Sequence, residues 1–117
     1  MGTNYYAVKR KPSVFSRPIH IGKSSGGWLF LFREQDNMWL DDAVWHTYEQ
    51  VKEWLYKNVV ESKEYIILDE YDREITFEDF FELVDYKQKD EHNLANPDNF
   101  EYCKNVNGYR FSDREFS

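Results

Sequence analysis

His20-Ile21-Gly22-Lys23-Ser24-Ser25-Gly26-Gly27-Trp28-Leu29-Phe30-Leu31-Phe32 joins a Gly/Ser segment to the most apolar run of the chain. Its three glycines, at 22, 26 and 27, open positive-φ conformations that other residues avoid, so the segment predicts a compact turn. Five apolar residues then follow in a row, from Trp28 to Phe32, closed by Arg33 and Glu34. A short apolar run ended by charge predicts a strand buried on both faces. The remaining segments read as elements that pack on this strand or display charge around it.

Toward the N-terminus, Thr3 to Val8 reads as a first strand, because aromatic and β-branched residues suit a half-buried pleated surface. Lys9-Arg10-Lys11-Pro12 ends it, since proline donates no ladder hydrogen bond. Ile19 to Ile21 is a short second strand and Gly27 to Phe32 the third, arranged most economically as a meander. Gln35-Asp36-Asn37 reads as a turn, with Met38-Trp39-Leu40 and Val44-Trp45 as apolar islands in an acidic loop.

Thr47-Tyr48-Glu49-Gln50 has the pattern of a capping box and predicts a helix running to about Val60. Tyr48, Val51, Leu55 and Val59 give it an apolar stripe flanked by Trp54. Tyr65 to Leu68 is a fourth strand, Asp69 to Glu74 a charged turn, and Thr76 caps a second helix with Phe77, Phe80, Phe81 and Val84 facing inward. Lys87 to Asn99 reads as a polar loop. Asn107-Gly108 between apolar runs is a strong hairpin signal. The expectation is a single α+β domain over residues 1–117. A small antiparallel sheet, made of a meander and a C-terminal hairpin, packs with two amphipathic helices.

A chain of 117 residues is long enough to bury a core without disulfides or metal. Its one cysteine, Cys103, excludes an internal disulfide framework and fits a reducing, cytoplasmic setting. The first residues have no signal-peptide pattern, and no apolar run is long enough for a membrane span. Net charge is −7, unevenly distributed. Residues 1–33 contain six basic side chains and no carboxylate, whereas residues 61–91 contain 12 acidic and 4 basic ones. Such a field repels nucleic acid and steers toward basic protein surfaces. On the second helix Glu78, Glu82 and Asp85 fall at i, i+4 and i+7, along one predicted outer face. Like charges at that spacing weaken a helix slightly, so another role is implied for them. Together with Asp69, Glu70, Asp72 and Glu74 they form the candidate partner-binding set.

Other chemistry has thinner support. Gly22-Lys23-Ser24 resembles a phosphate loop only in part: Arg17 stands where the first glycine belongs, and a strand follows where a helix is needed. Lys23, Ser24 and Ser25 are therefore kept as a turn of functional interest rather than a nucleotide site. A zinc site would draw on His20, His46, His92 and Cys103, none at the usual ligand spacing. A Ser24 or Ser25 triad with His20 is one of many such sets an acidic chain allows, and Cys103 reads better as a small core residue than as a nucleophile. Asp69, Glu70 and Asp72 as Mg²⁺ ligands compete with an ordinary exposed acidic turn. The chain is read as a non-enzyme that requires no cofactor.

Four stretches together resemble a family of small phage and prophage proteins: Met-Gly-Thr-Asn-Tyr-Tyr at 1–6, His-Ile-Gly-Lys-Ser-Ser-Gly-Gly-Trp at 20–28, Asp-Glu-Tyr-Asp-Arg-Glu-Ile at 69–75, and Glu-Phe-Ser at 115–117. Members often carry a Cys-x-x-Cys pair before the His-Ile-Gly-Lys-Ser-Ser segment, which implies a zinc site including His20. This chain has Val14, Phe15 and Ser16 there, so a metal would need other ligands such as His92 and Cys103. Members usually have glycine where Asp72 stands, so the turn here gains a charge. The resemblance implies a phage-encoded acidic inhibitor of a host defence enzyme. Its expected partner is the RNA-guided nuclease of a type II CRISPR system, bound on a basic surface so that DNA engagement is hindered. The alternative is a zinc-binding phage accessory protein with its site around His20.

Overall fold

The computed structural model describes residues 2–11, 17–25, 30–37, 43–89, 103–106 and 109–112. It has mixed α+β content. A seven-stranded sheet is built from β1 (Gly2–Lys9), β2 (Ile19–Ser25), β3 (Leu31–Arg33), β6 (Tyr65–Asp69), β7 (Glu74–Ile75), β8 (Cys103–Val106) and β9 (Tyr109–Ser112). The strand order is β7-β6-β1-β2-β3-β9-β8. A separate hairpin pairs β4 (Gln35–Asn37) with β5 (Ala43–Trp45). Two helices complete the fold, α1 (Tyr48–Leu55) and α2 (Phe77–Lys89), with a π-helical segment, Tyr56–Glu61, prolonging α1.

The meander β1-β2-β3 forms as expected, and so does the C-terminal hairpin, whose register pairs Val106 with Tyr109. β9 docks on β3 in parallel, Phe32 opposite Phe111, so the two units merge into one mostly antiparallel sheet. The rings of Phe32 and Phe111 stack at 5.0 Å.

Three local expectations are corrected. β2 continues through Gly22, Lys23 and Ser24 to Ser25, paired with β1 as far as Gly2, so this segment is strand rather than turn. Residues 26–29 lie outside the described part. β3 is buried more deeply on one face than on the other: Phe32, like Phe30 just before the strand, is fully buried, while Leu31 between them is half-buried. The alternation follows from the pleat, since both helices cover the same side of the sheet. Gln35-Asp36-Asn37 is a strand, and Val44-Trp45 belongs to its partner strand rather than to a loop. Gln35 is buried, and its side-chain amide donates to the His20 carbonyl at 2.9 Å. Met38-Trp39-Leu40 falls outside the described residues.

Gly22 serves close packing. A Cβ there would lie 2.3 Å from the Leu31 carbonyl oxygen and 2.5 Å from Cε1 of Phe30. A bulge in the adjacent ladder, where Tyr5 faces Gly22 but Tyr6 faces His20, leaves Ile21 as the extra residue. Gly22→Ala should therefore force β2 away from β3 and cost about 1–3 kcal/mol. Thermal melting checks it, at about 4 °C per kcal/mol for a domain of this size.

The helices are fixed to the sheet by aromatic contacts. Thr47 caps α1 by accepting from the Gln50 amide at 3.2 Å. Gln50 reaches back to the amide of His46 at 2.7 Å, so the reciprocal half of the box is closed one residue early. Tyr48, Val51, Trp54 and Leu55 face the core, with Trp54 edge-on to Tyr65 at 5.0 Å and to Trp45 at 5.3 Å. Thr76 accepts from the Asp79 amide at 3.1 Å at the start of α2. Phe80 then meets Phe30, just before β3, and Tyr5 on β1, at 5.4 and 5.5 Å. α2 continues to Lys89, so the segment expected to be loop from Lys87 onward begins as helix, and residues 90–99 are not among those described. Among the described residues no helix is long and apolar enough to cross a membrane.

Candidate docking face

The acidic segment comes together at one end of β6 and along α2. The Asp69–Glu74 turn closes with the Asp72 amide donating to the Asp69 carbonyl at 3.0 Å. Asp69 is buried and organises this turn. Its Oδ1 accepts from the amides of Tyr71 at 2.8 Å and Arg73 at 2.9 Å, and its Oδ2 from Nε of Arg73 at 2.8 Å. Desolvation works to raise its carboxyl pKa. The two amides and the Arg73 guanidinium outweigh it and hold the group below the usual carboxylate value.

A depressed carboxyl makes the turn acid-sensitive. Its stabilisation is complete above the unfolded pKa of about 4 and is lost as pH falls from there through the folded value. Asp69→Asn keeps an acceptor for the amides but removes the titration. Melts between about pH 2.5 and 6 should show a shallower acid limb in the variant than in the parent chain.

Glu70 is exposed but engaged, its Oε1 accepting from the Asn4 amide at 2.8 Å and from the Asn4 side-chain nitrogen at 3.4 Å. Asn4 thereby turns its Oδ1 to His20, whose Nε2 lies 2.9 Å away and is assigned as the donor. Asp72 is exposed at φ 61, in the left-handed region where glycine is at ease. Glu74, Glu78 and Glu82 are exposed, as is Asp79.

Asp85 departs from the expected outer face. It is half-buried and accepts from the Tyr48 hydroxyl at 3.2 Å. Tyr48 stacks on Tyr109 at 4.0 Å. Burial, then the Asp85 charge, pushes the Tyr48 hydroxyl well above its ordinary pKa, and burial followed by Asp85 raises Tyr109 as well. Asp85 therefore ties α2 to α1, and the displayed carboxylates are Asp72, Glu74, Glu78, Asp79 and Glu82. Glu78 and Asp79 also lie in the first turn of α2, where negative charge complements the helix dipole. Glu82 has no such local reason.

Of the basic N-terminal residues, Lys9 and Arg10 lie away from this face, whereas Lys23 on β2 pairs with Asn4 at its edge. Lys9 pairs with Tyr65 and Tyr5 with Asp69, which separates Lys9 from the acidic turn by four strand residues, about 13 Å. Arg10 continues away from it, its Nε donating to the Lys63 carbonyl at 3.0 Å and its amide to the Glu64 carbonyl at 2.8 Å.

The other candidate residues are placed elsewhere. Lys23 and Ser24 are half-buried strand residues, and Ser25 ends the same strand opposite Gly2. His20 is buried, stacked on Tyr6 at 5.1 Å and bonded to Asn4. His46 is exposed, its Nδ1 3.1 Å from the buried Glu34. Cys103 lies on β8, three strands from β2 across the sheet, and His92 falls outside the described residues. Among the described residues no group of three or more His, Cys, Asp or Glu side chains is placed to hold a metal ion.

What the sequence reading missed is the aromatic lining beside the carboxylates. Phe77 and Phe81, with rings 4.8 Å apart, form with Lys52, Glu78, Glu82 and Tyr86 an open groove of about 560 Å³ between α2 and α1. Tyr56 packs edge-on against Phe77 at 5.6 Å. The available signal was the interleaving of Phe77, Phe81 and Tyr86 with Glu78 and Glu82, read only as core against solvent.

Compared with known proteins, the chain matches no family model, no curated protein and no solved structure.

Proposed function

We propose that this chain is an acidic binding protein whose α2 face and Asp69–Glu74 turn dock on a basic surface of a protein partner. The observation that carries this reading is the clustering of exposed carboxylates along α2 and the turn before it, where Asp72, Glu74, Glu78, Asp79 and Glu82 outnumber the nearby cations Lys52 and Arg73, while Lys9 and Arg10 sit at the other end of β1. A rigid array of carboxylates presents a Lys/Arg-rich channel with a substitute for phosphate charge, the reverse of what basic proteins do on a polyanion. In line with the phage-family resemblance, the proposed partner is the RNA-guided nuclease of a type II CRISPR system. Occupation of its basic surface would hinder DNA engagement without any catalytic step by this chain.

The test is a titration of the protein into the nuclease–guide complex at about 50 and about 300 mM salt, with DNA binding as the readout. Affinity should fall at least about tenfold over that range, because exposed charge pairs are screened within a Debye length. An affinity indifferent to salt, or DNA binding untouched at saturating protein, would refute the proposal.

A further inference from the structure

Resting on that reading, we infer that the groove between α1 and α2 receives an arginine side chain of the basic partner, laid over Phe77 and Tyr86 between Glu78 and Glu82. The groove has the size and lining for it: about 560 Å³, lined by aromatic rings and carboxylates together. Its ability to hold a cation is visible within the chain. The Lys52 ammonium sits 5.5 Å from the Phe81 ring centre and 5.6 Å from that of Tyr48. Those distances are within the range of cation–π attraction.

Lys52 does not satisfy the site. It supplies one positive charge beside Glu78, Glu82 and Asp85, and Asp85 already has a hydroxyl donor, from Tyr48. Two of the large aromatics that stand exposed among the described residues, Tyr56 at 49% and Tyr86 at 62%, flank this groove. Exposed tyrosines are enriched at the centres of protein interfaces, where they give contact area at low entropic cost. Arginine fits better than lysine. Its planar guanidinium stacks on a ring while its edge donates to carboxylates, whereas an ammonium is a compact, strongly hydrated charge.

The experiment is an NMR titration of the isotopically labelled full chain with nona-arginine and, separately, nona-lysine at low salt. Nona-arginine should bind about two- to fivefold more tightly, the increment of an exposed cation–π contact, and should shift the Phe77 and Tyr86 ring signals and the Glu82 carboxyl. Tyr86→Ala, an exposed substitution, should erase that preference, bringing the two peptides to within about twofold of each other. Equal affinities, with shifts confined to the Asp69–Glu74 turn, would overturn the groove and leave the acidic docking reading standing. Failure of both peptides to bind at low salt would overturn both.

Discussion

Phe80→Ala should lower stability by about 4 kcal/mol, the size of effect seen when a large buried aromatic is truncated in a core that cannot collapse. Phe80 is fully buried and meets Phe30, Tyr5 and Phe81 at ring separations between 5.1 and 5.5 Å, each edge-on. These rings come from β1, from the residue preceding β3, and from α2 itself, so the cavity would open where α2 is held to the sheet. Set against about 5–15 kcal/mol of total stability for a domain, the loss is a large fraction. A fall in melting temperature of about 15 °C is expected by calorimetry. Phe80→Leu refills most of the volume and should cost far less. If the alanine variant melts within a few degrees of the parent, the packing of α2 on the sheet is wrong, and with it the rigid presentation of Glu78 and Glu82.

Local chemistry was legible and pairing at a distance was not. The caps at Thr47 and Thr76 depend on residues three positions on, and both bonds form. The β8–β9 register, Val106 opposite Tyr109, is the one that the Asn107-Gly108 dipeptide predicts from sequence. Gln35-Asp36-Asn37 has the composition of a turn, yet it becomes strand because Ala43–Trp45 pairs with it and the His20 carbonyl takes the Gln35 amide. Neither partner is marked by spacing. Gly22 was visible as an unusual residue, but its purpose, room for the Phe30 ring, comes from the neighbouring strand.

The same division holds at the candidate face. Helical periodicity puts Glu78, Glu82 and Asp85 on one stripe, and the first two are exposed. Asp85 is drawn inward by a hydroxyl from α1, which no property of its own helix announces. Asp69 and Glu70 count as negative charge in a composition tally, but their oxygens are committed to the turn and to Asn4. Charge counts therefore exaggerate the displayed carboxylates. They still locate them, because the basic end of β1 and the acidic end of β6 are separated by the antiparallel ladder itself.

Reversal of both Glu78 and Glu82 to lysine should weaken binding to the proposed nuclease partner about 100-fold, since on the proposed docking each exchange replaces an attraction with a repulsion against a basic surface. The fold should survive it. Both positions are exposed, and the structural cost, about 1 kcal/mol for reversing one charge in the first turn of α2 and a similar amount for screened repulsion from the neighbouring Lys52, is small against the stability of a domain. Two like charges at i, i+4 are present before and after, so that helix term is unchanged. Reversal of Glu53, an exposed carboxylate on α1 that faces a different groove, changes net charge by the same amount per site. It should reduce affinity by less than about threefold, because a single remote charge acts only through the screened long-range field. Equal losses from the two kinds of variant would mean that overall charge does the steering and that α2 has no privileged contact. A double reversal that folds normally and still blocks DNA binding at parental concentration would remove α2 from the interface altogether.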